Sequence, residues 1–490
     1  MSDVDIEILE RSSPSQITPE VFRHYGYALI DFIADYRSQI APNVRSNAIP
    51  GSLLKQLPDK APENPESFDA LLNDLNQLIM PHMTHWQHKD HYAYFPANSL
   101  LASVLADIVS SGLGVIGLNW QSAPPLTELE LKMLDWMRQA FGLSETWQGV
   151  IQDTASTSTL VALLSAREKT TNHAQQHEGL RALPPQTVYS SQESHSSVHK
   201  AALLAGFGHD YVRSLGTNAD LSLDVEALET TIQADIAQGY QPSAIVATLG
   251  TTTSTAFDDL KAIGAIAKRY GIWLHVDAAM AGAAMILPEC QELWQGIELA
   301  DSLVINAHKW FGVGFDCSLY YVKDSQHLIQ VMSTSPSYLK TSADGAALNY
   351  RDWGIPLGRR FRALKLWFVL RLEGLEGIRA RLRRDMLNAR WLAKEISQEA
   401  HWQILAPVRL QTLCIRHEPP QIPTEKLDAY TLNWCERLNA SGKAHLTPAK
   451  LKDSWMVRIS IGAEMTTRAD LAALWEHLQA VTLESISNFT

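Results

Sequence analysis

A chain of 490 residues, 46% hydrophobic and 19% charged, can bury a sizeable core, and none of its apolar runs approaches the ~18–20 residues of a membrane helix. Its formal net charge of −12 disfavours nucleic-acid phosphate as a partner, and Cys290, Cys317, Cys414 and Cys435 lack the spacing of a zinc site or disulfide framework. The acidic start, MSDVDIEILERSSPSQ, has neither a basic nor an apolar targeting region, so a soluble cytoplasmic protein with no membrane role is expected.

In chain order, Thr18-Pro19-Glu20 reads as a helix start, followed by Val21, Phe22, Tyr25, Leu29, Phe32, Ile33 and Tyr36 at helical spacing. A face that broad needs a partner. Residues 41–67, rich in Pro, Asn and Ser, read as a connector, which makes docking of this helix on another subunit plausible. His82, His85, His88 and His91 fall three apart, but no carboxylate or cysteine cluster accompanies them and Pro81 and Pro96 flank them, so no metal site is expected. The same stretch concentrates aromatic surface in Trp86, Tyr94 and Phe95.

From residue 126 amphipathic helices alternate with short apolar strands. Strands are predicted near Val150 and over 187–191, 211–214, 244–249, 272–276, 303–306 and 317–322, with helices over 126–141, 158–169, 197–205, 225–236 and 259–270. That alternation predicts an α/β fold with a mostly parallel sheet covered on both faces. Residues 324–352 lack periodicity and read as a long mobile loop. Beyond Arg360, a long helix, strands near 412–416 and 456–461 and a helix over 468–479 suggest a smaller α+β domain, and the cluster Arg379, Arg381, Arg383 and Arg384 reads as a solvated helix face.

Ligands of such sheets bind at the carboxyl ends of the strands. There the sequence places Thr154, Ser156 and Ser158, then His195, Gly250 to Thr253, Asp277, and finally Asn306, His308 and Lys309. Asp277 ends a strand too apolar for a bare carboxylate and calls for a cationic partner, of which a pyridinium nitrogen is one. Lys309 follows by the length of one strand, crossover helix and strand, and a buried lysine is a candidate amine nucleophile. The Gln152 to Thr159 turn offers hydroxyls and helix N–H groups to an anion.

These residues carry a resemblance. With Thr84-His85-Trp86, Tyr94-Phe95-Pro96, Thr127-Glu128-Leu129-Glu130, Val246 to Thr253, His275 to Gly282, Asn306 to Trp310, Tyr338-Leu339-Lys340 and Ile355 to Arg362, the chain resembles the pyridoxal-phosphate-dependent aromatic L-amino acid decarboxylases over about residues 18–480. The resemblance implies a fold-type I homodimer: an interlocking helical segment over 1–85, a cofactor-binding large domain over 86–360 with a catalytic loop near 324–352, and a small domain over 361–490.

It further implies that Lys309 joins the cofactor aldehyde as a Schiff base and that Asp277 pairs with the ring nitrogen. His195 and Ala279 would lie on the two faces of the ring, with Thr252 nearby. Ala155, Ser156, Asn306 and His308 would hold the phosphate, and Tyr338 would return a proton to Cα after carbon dioxide leaves. Trp86, Tyr94, Phe95, Pro96, Ala97 and Leu118 would shape the substrate pocket.

The implied reaction is decarboxylation of an aromatic L-amino acid to its amine. Aldehyde synthesis on the same site is the alternative, and a silent scaffold a remoter one; replacement of Tyr338 or His195 accompanies aldehyde synthesis in the family, and both are present. Three departures bear on the substrate. The phosphate turn reads Asp153-Thr154-Ala155-Ser156-Thr157 where relatives start with Gly and carry Glu after the serine, Ala97 stands where animal relatives have a hydroxyl, and Leu118 replaces a common phenylalanine. With Gly358, these favour tryptophan or phenylalanine over dihydroxyphenylalanine.

Overall fold

The apolar runs between residues 148 and 322 pair into one seven-stranded sheet in a computed structural model that describes residues 17–180, 183–334, 347–487 and 489. Its strands are β1 (Gln148–Gln152), β2 (Gln186–Ser191), β3 (Val212–Leu215), β4 (Gln241–Thr248), β5 (Trp273–Asp277), β6 (Ser302–Asn306) and β7 (Ser318–Val322), in the order β1-β7-β6-β5-β4-β2-β3. All run parallel except β7, which is antiparallel to both β1 and β6. Ala244 to Ala247 and Leu303 to Ile305 are fully buried, which is why these strands are continuous apolar runs rather than alternating ones.

Helices flank that sheet and set its edges. Helix α1 (Pro19–Ser38) is capped by Thr18, whose hydroxyl accepts the Val21 N–H, and α2 (Leu101–Leu113), α3 (Pro124–Ala140), α4 (Ala155–Thr170), α5 (Ser196–Leu204) and α6 (Leu260–Tyr270) follow. No residue of α1 is buried, and Phe22 and Tyr27 are 62% and 65% exposed, so among the described residues its apolar face is covered only in part, chiefly by Phe68 stacked on Tyr25. A cleft of about 1160 Å³ separates α1 from residues 41–48 and 72–85. Arg37 tethers the helix end to the Ser99 carbonyl (2.7 Å) and to Glu464 (2.6 Å).

Beyond residue 360 the chain forms α7 (Ala363–Gln398), interrupted at Gly374, then α8 (Leu427–Ala440), α9 (Arg468–Ile486) and a four-stranded antiparallel sheet. Its strands β8 (Trp402–Ile404), β9 (Thr412–His417), β10 (Thr447–Leu451) and β11 (Ser454–Ser460) are ordered β10-β11-β9-β8. Trp434, Tyr430 and Leu471 fill a separate core beneath it.

The structure corrects three sequence expectations. The connection from β5 to β6 holds short 3₁₀ turns over Ala281–Ile286, Pro288–Trp294 and Ile297–Leu299 in place of a crossover helix. Gly282 explains this: a Cβ there would stand 2.5 Å from Ile305, so the backbone lies directly on the sheet. Part of the expected loop is helical, over Ser325–Met332, capped by Asp324. The arginine cluster is largely an internal fastening: Arg379 donates to the Ile286 carbonyl, Arg381 to those of Trp310 and Phe311, and Arg384 to Asp385 and the Glu464 carbonyl, leaving Arg383 to pair with Glu289 at the surface.

The histidine run is spent on local contacts. His82 bonds the Leu78 carbonyl, His85 the Tyr36 hydroxyl and His88 the Asp90 N–H, while His91 stacks on Trp86. All four cysteines are buried free thiols, and burial pushes their pKa up, to about 11 for Cys290 and about 12 for Cys317, Cys414 and Cys435.

Candidate active site

The carboxyl ends of β1, β2, β4, β5 and β6 open onto a cavity of about 230 Å³. Asp277, Lys309, His195, Thr252, Ala279, Asn306, His308, Ala155 and Ser156 all line it, as does Phe95. Residues spread over more than 200 positions of sequence thus meet at one sheet edge, as the strand-end rule requires.

Lys309 follows β6 in a short helical turn, Ala307–Phe311, but its own backbone (φ −106°, ψ −120°) breaks that turn. Its ammonium lies 4.7 Å from the Phe95 ring centroid. Burial lowers its pKa from the usual lysine value, with Arg458 adding to the effect and the Asp277 carboxylate opposing it. The amine is thereby moved toward its neutral, nucleophilic form.

Asp277 ends β5, 5% exposed, and accepts the Ala279 N–H at 3.0 Å. Ala279 in turn accepts the Asn306 N–H at 2.9 Å, which fastens the exit of β5 to that of β6. His195 caps α5: its Nδ1 accepts the Ser197 N–H at 3.1 Å and lies 2.7 Å from the Ser197 hydroxyl. Since Nδ1 accepts, the proton of the neutral ring sits on Nε2. Burial lowers its pKa, against the pull of Asp277 and with the help of Lys309. His308 is held likewise: Nδ1 accepts the Cys317 N–H at 2.8 Å, and burial takes its pKa down to about 4.

At the start of α4 the Thr154 hydroxyl accepts the Thr157 N–H, and the Thr154 carbonyl accepts the Ser158 N–H. The N–H groups of Ala155 and Ser156 have no partner within the helix and border the cavity at its positive end. Departing from the family's usual residues at Asp153 and Thr157 has not cost the turn this form.

Sequence reasoning missed several members. Ser197, Thr248 and Met280 also line the cavity, beside Thr154 and Gly250, which the strand-end rule had already placed there. Gly250 was legible as a glycine at a strand exit; its φ is +82°, and a Cβ would stand 2.5 Å from that of Ala281. Arg458 had no such signal. From β11 it donates to the carbonyls of Thr252 and Tyr94 and lies 4.8 Å from the Phe95 ring, bridging the two sheets.

Of the six expected pocket residues, only Phe95 borders the Lys309 cavity. Trp86 and Tyr94 stack on each other at 5.2 Å, both half exposed, and the Ala97 carbonyl accepts from Gln87. Pro96 packs against Gly462, and Leu118 lies beside Gly358, where a Cβ would meet Ile116 at 3.3 Å and Leu118 at 3.9 Å. Tyr338 lies outside the described residues.

Comparison with known proteins decides the family. Residues 50–418 match the pyridoxal-dependent decarboxylase conserved domain. The chain belongs to the pyridoxal-dependent decarboxylases. It is 39% identical to phenylacetaldehyde synthase of Arabidopsis thaliana, over 96% of this chain and 98% of the relative, and 36% identical to tyrosine decarboxylase of Papaver somniferum, over 98% of each. The crystal structure of Oryza sativa TDC with PLP and tryptamine superposes with a TM-score of 0.94 at 31% identity, over 96% of this chain and 99% of that one.

This decarboxylase is a lyase that works with pyridoxal phosphate, and its cavity fits that group. The unpaired helix N–H groups and adjacent hydroxyls suit a phosphate, the lowered-pKa amine suits an aldehyde, and the buried carboxylate suits a protonated ring nitrogen. Asn306, which lines the cavity, is consistent with this: its side-chain oxygen is buried with no partner among the described residues.

Proposed function

We propose that this chain decarboxylates an aromatic L-amino acid, tryptophan or phenylalanine ahead of tyrosine or dihydroxyphenylalanine, to the corresponding amine and carbon dioxide. The observation that carries this reading is the meeting of Lys309, Asp277 and His195 in one cavity beside an anion-binding helix start. Bound pyridoxal phosphate supplies the electron sink into which the bond to the carboxylate can break.

The protein's own part is to hold and exclude. Lys309 would hold the cofactor through its aldehyde, and the Asp277 carboxylate would favour a proton on the ring nitrogen. Ala155, Ser156, Asn306 and His308 would hold the phosphate, and Ala279 and Thr252 would border the ring. His195, which carries its proton on Nε2, would relay a proton within the cavity, and Tyr338 would provide the proton that Cα receives.

The substrate ring belongs against Phe95 and against Trp86, Tyr94, Pro96, Ala97 and Leu118, most of which do not reach the Lys309 cavity of their own chain. A homodimer resolves that separation. The largely exposed face of α1, the cleft behind it, and the exposed Leu105, Ile108, Val109 and Leu113 of α2 support an interface in which the partner completes the pocket.

Aldehyde synthesis remains the second reading, favoured by the Arabidopsis relative; retention of His195 and Tyr338 favours the amine. Incubating the cofactor-loaded protein with a panel of L-amino acids and measuring amine, aldehyde, peroxide and carbon dioxide separates them. Equal yields of amine and carbon dioxide are expected; aldehyde with peroxide as the main products would overturn the proposal.

A further inference from the structure

Lys309 stands on a backbone that no regular element supports. Its φ and ψ interrupt the Ala307–Phe311 turn, so a regular ladder of intrahelical hydrogen bonds does not by itself determine where its peptide lies. Local bonds hold it only in part, Gly312 N–H to the Lys309 carbonyl and His308 N–H to the Cys317 carbonyl, both at 3.2 Å, and a second set comes from α7, some seventy positions later. Arg381 donates to the Trp310 carbonyl at 2.9 Å and to the Phe311 carbonyl at 2.6 Å. One turn on, Asp385 accepts the Trp310 indole N–H at 2.9 Å.

The fastening is itself fastened. Asp385 is fully buried, and its second oxygen takes two bonds from Arg384, at 2.9 and 3.1 Å, while Arg384 also donates to the Glu464 carbonyl at 2.9 Å. Gly312 shows how closely the arginine approaches: a Cβ there would lie 2.8 Å from the Arg381 guanidinium. A buried ionic network of this kind is weak evidence for stability, since apolar packing serves as well. What such a network does supply is a single geometry, here imposed on the two residues that follow the lysine.

We propose that Arg381 and Asp385 are positioning residues, which clamp Trp310 and Phe311 to α7 and so set where the Lys309 amine stands in the cavity. The proposal rests on Lys309 being the amine that holds the cofactor. Neither residue borders the cavity, so each acts through the Lys309 backbone and none touches the reacting atoms.

Full-length Arg381→Gln, Arg381→Lys and Trp310→Phe proteins test this, by titrating binding of pyridoxal phosphate and the pH midpoint of its visible absorption, with melting temperature measured in parallel. Arg381→Gln is expected to weaken cofactor binding about tenfold or more and to move the midpoint, Arg381→Lys to restore part of both, and Trp310→Phe to show the same signature more weakly. A lowered melting temperature with wild-type binding and midpoint would mean a merely structural role and overturn the proposal. Should Arg381→Gln not fold, Trp310→Phe decides alone by whether its midpoint moves. Lys309→Ala separates the underlying reading: if that variant keeps a borohydride-reducible absorption, the lysine assignment fails; if it loses it while the α7 variants behave as wild type, only the clamp fails.

Discussion

Ser197 fixes which nitrogen of His195 carries a proton. Its N–H and hydroxyl both address Nδ1, and a hydrogen bond donated to a ring nitrogen exists only while that nitrogen is unprotonated. Ser197→Ala keeps the backbone bond and loses the hydroxyl, so His195 should move back up toward its ordinary pKa. A pH–rate profile should then show the acid limb of kcat/KM displaced to higher pH, and kcat lowered by roughly fivefold, the worth of about 1 kcal/mol for one hydrogen bond. Neither change would follow if Ser197 were only a helix-capping residue.

At the scale of elements, the loop after β4 is shaped by one glycine. Gly250 turns through a positive φ beneath Ala281, its N–H and that of Thr251 both reach the Ala256 carbonyl, and Asp258 closes the arch on the Thr248 N–H. Gly250→Ala has both a disfavoured φ and a 2.5 Å approach to relieve. It should cost on the order of 2 kcal/mol by denaturant unfolding and should weaken cofactor binding, because Thr252 moves with the arch. Unchanged stability would contradict that account.

The same scale shows what the sequence could and could not reveal. Leu303 to Ile305 and Ala244 to Ala247 announce buried parallel strands because every side chain in them is apolar, and the strand-end rule then gathers Asp277, His195 and Lys309 from sequence alone. Strands β8 and β10 went unseen, being short, edge-placed and half polar. The link between β5 and β6 looked long enough for a helix, yet its run of small residues has no face to bury as one. Arg381 and Arg458 were illegible for a different reason: their partners are backbone carbonyls brought near only by the completed fold, and a carbonyl has no sequence identity.

Across the whole molecule, the buried histidines make acid destabilising. Burial holds His275, His308, His417 and His445 at about 4 and His91 at about 3, below the ordinary value of 6.5. Between those values the unfolded chain binds more protons than the folded one, so stability present above pH ~6.5 drains away as pH falls toward ~4, by up to ~1.4 kcal/mol per unit for each such histidine. Asp258, raised to about 6 by burial, acts in the opposite direction, as does Asp385, but the histidines outnumber them. Melting temperature should fall steeply from pH 6.5 to 4; a flat profile over that window would refute the account.

The four buried thiols have a practical consequence. With their pKa raised by burial to about 11 or 12, they are almost entirely protonated at neutral pH and beyond the reach of bulky reagents, so each becomes reactive only when its surroundings open. Cys317 sits beside the first sheet next to the His308 ring, Cys414 within the second sheet, and Cys435 on the buried face of α8. Native-state labelling followed by peptide mass spectrometry therefore turns them into local clocks, whose separate rates time the opening of each layer without any engineered probe.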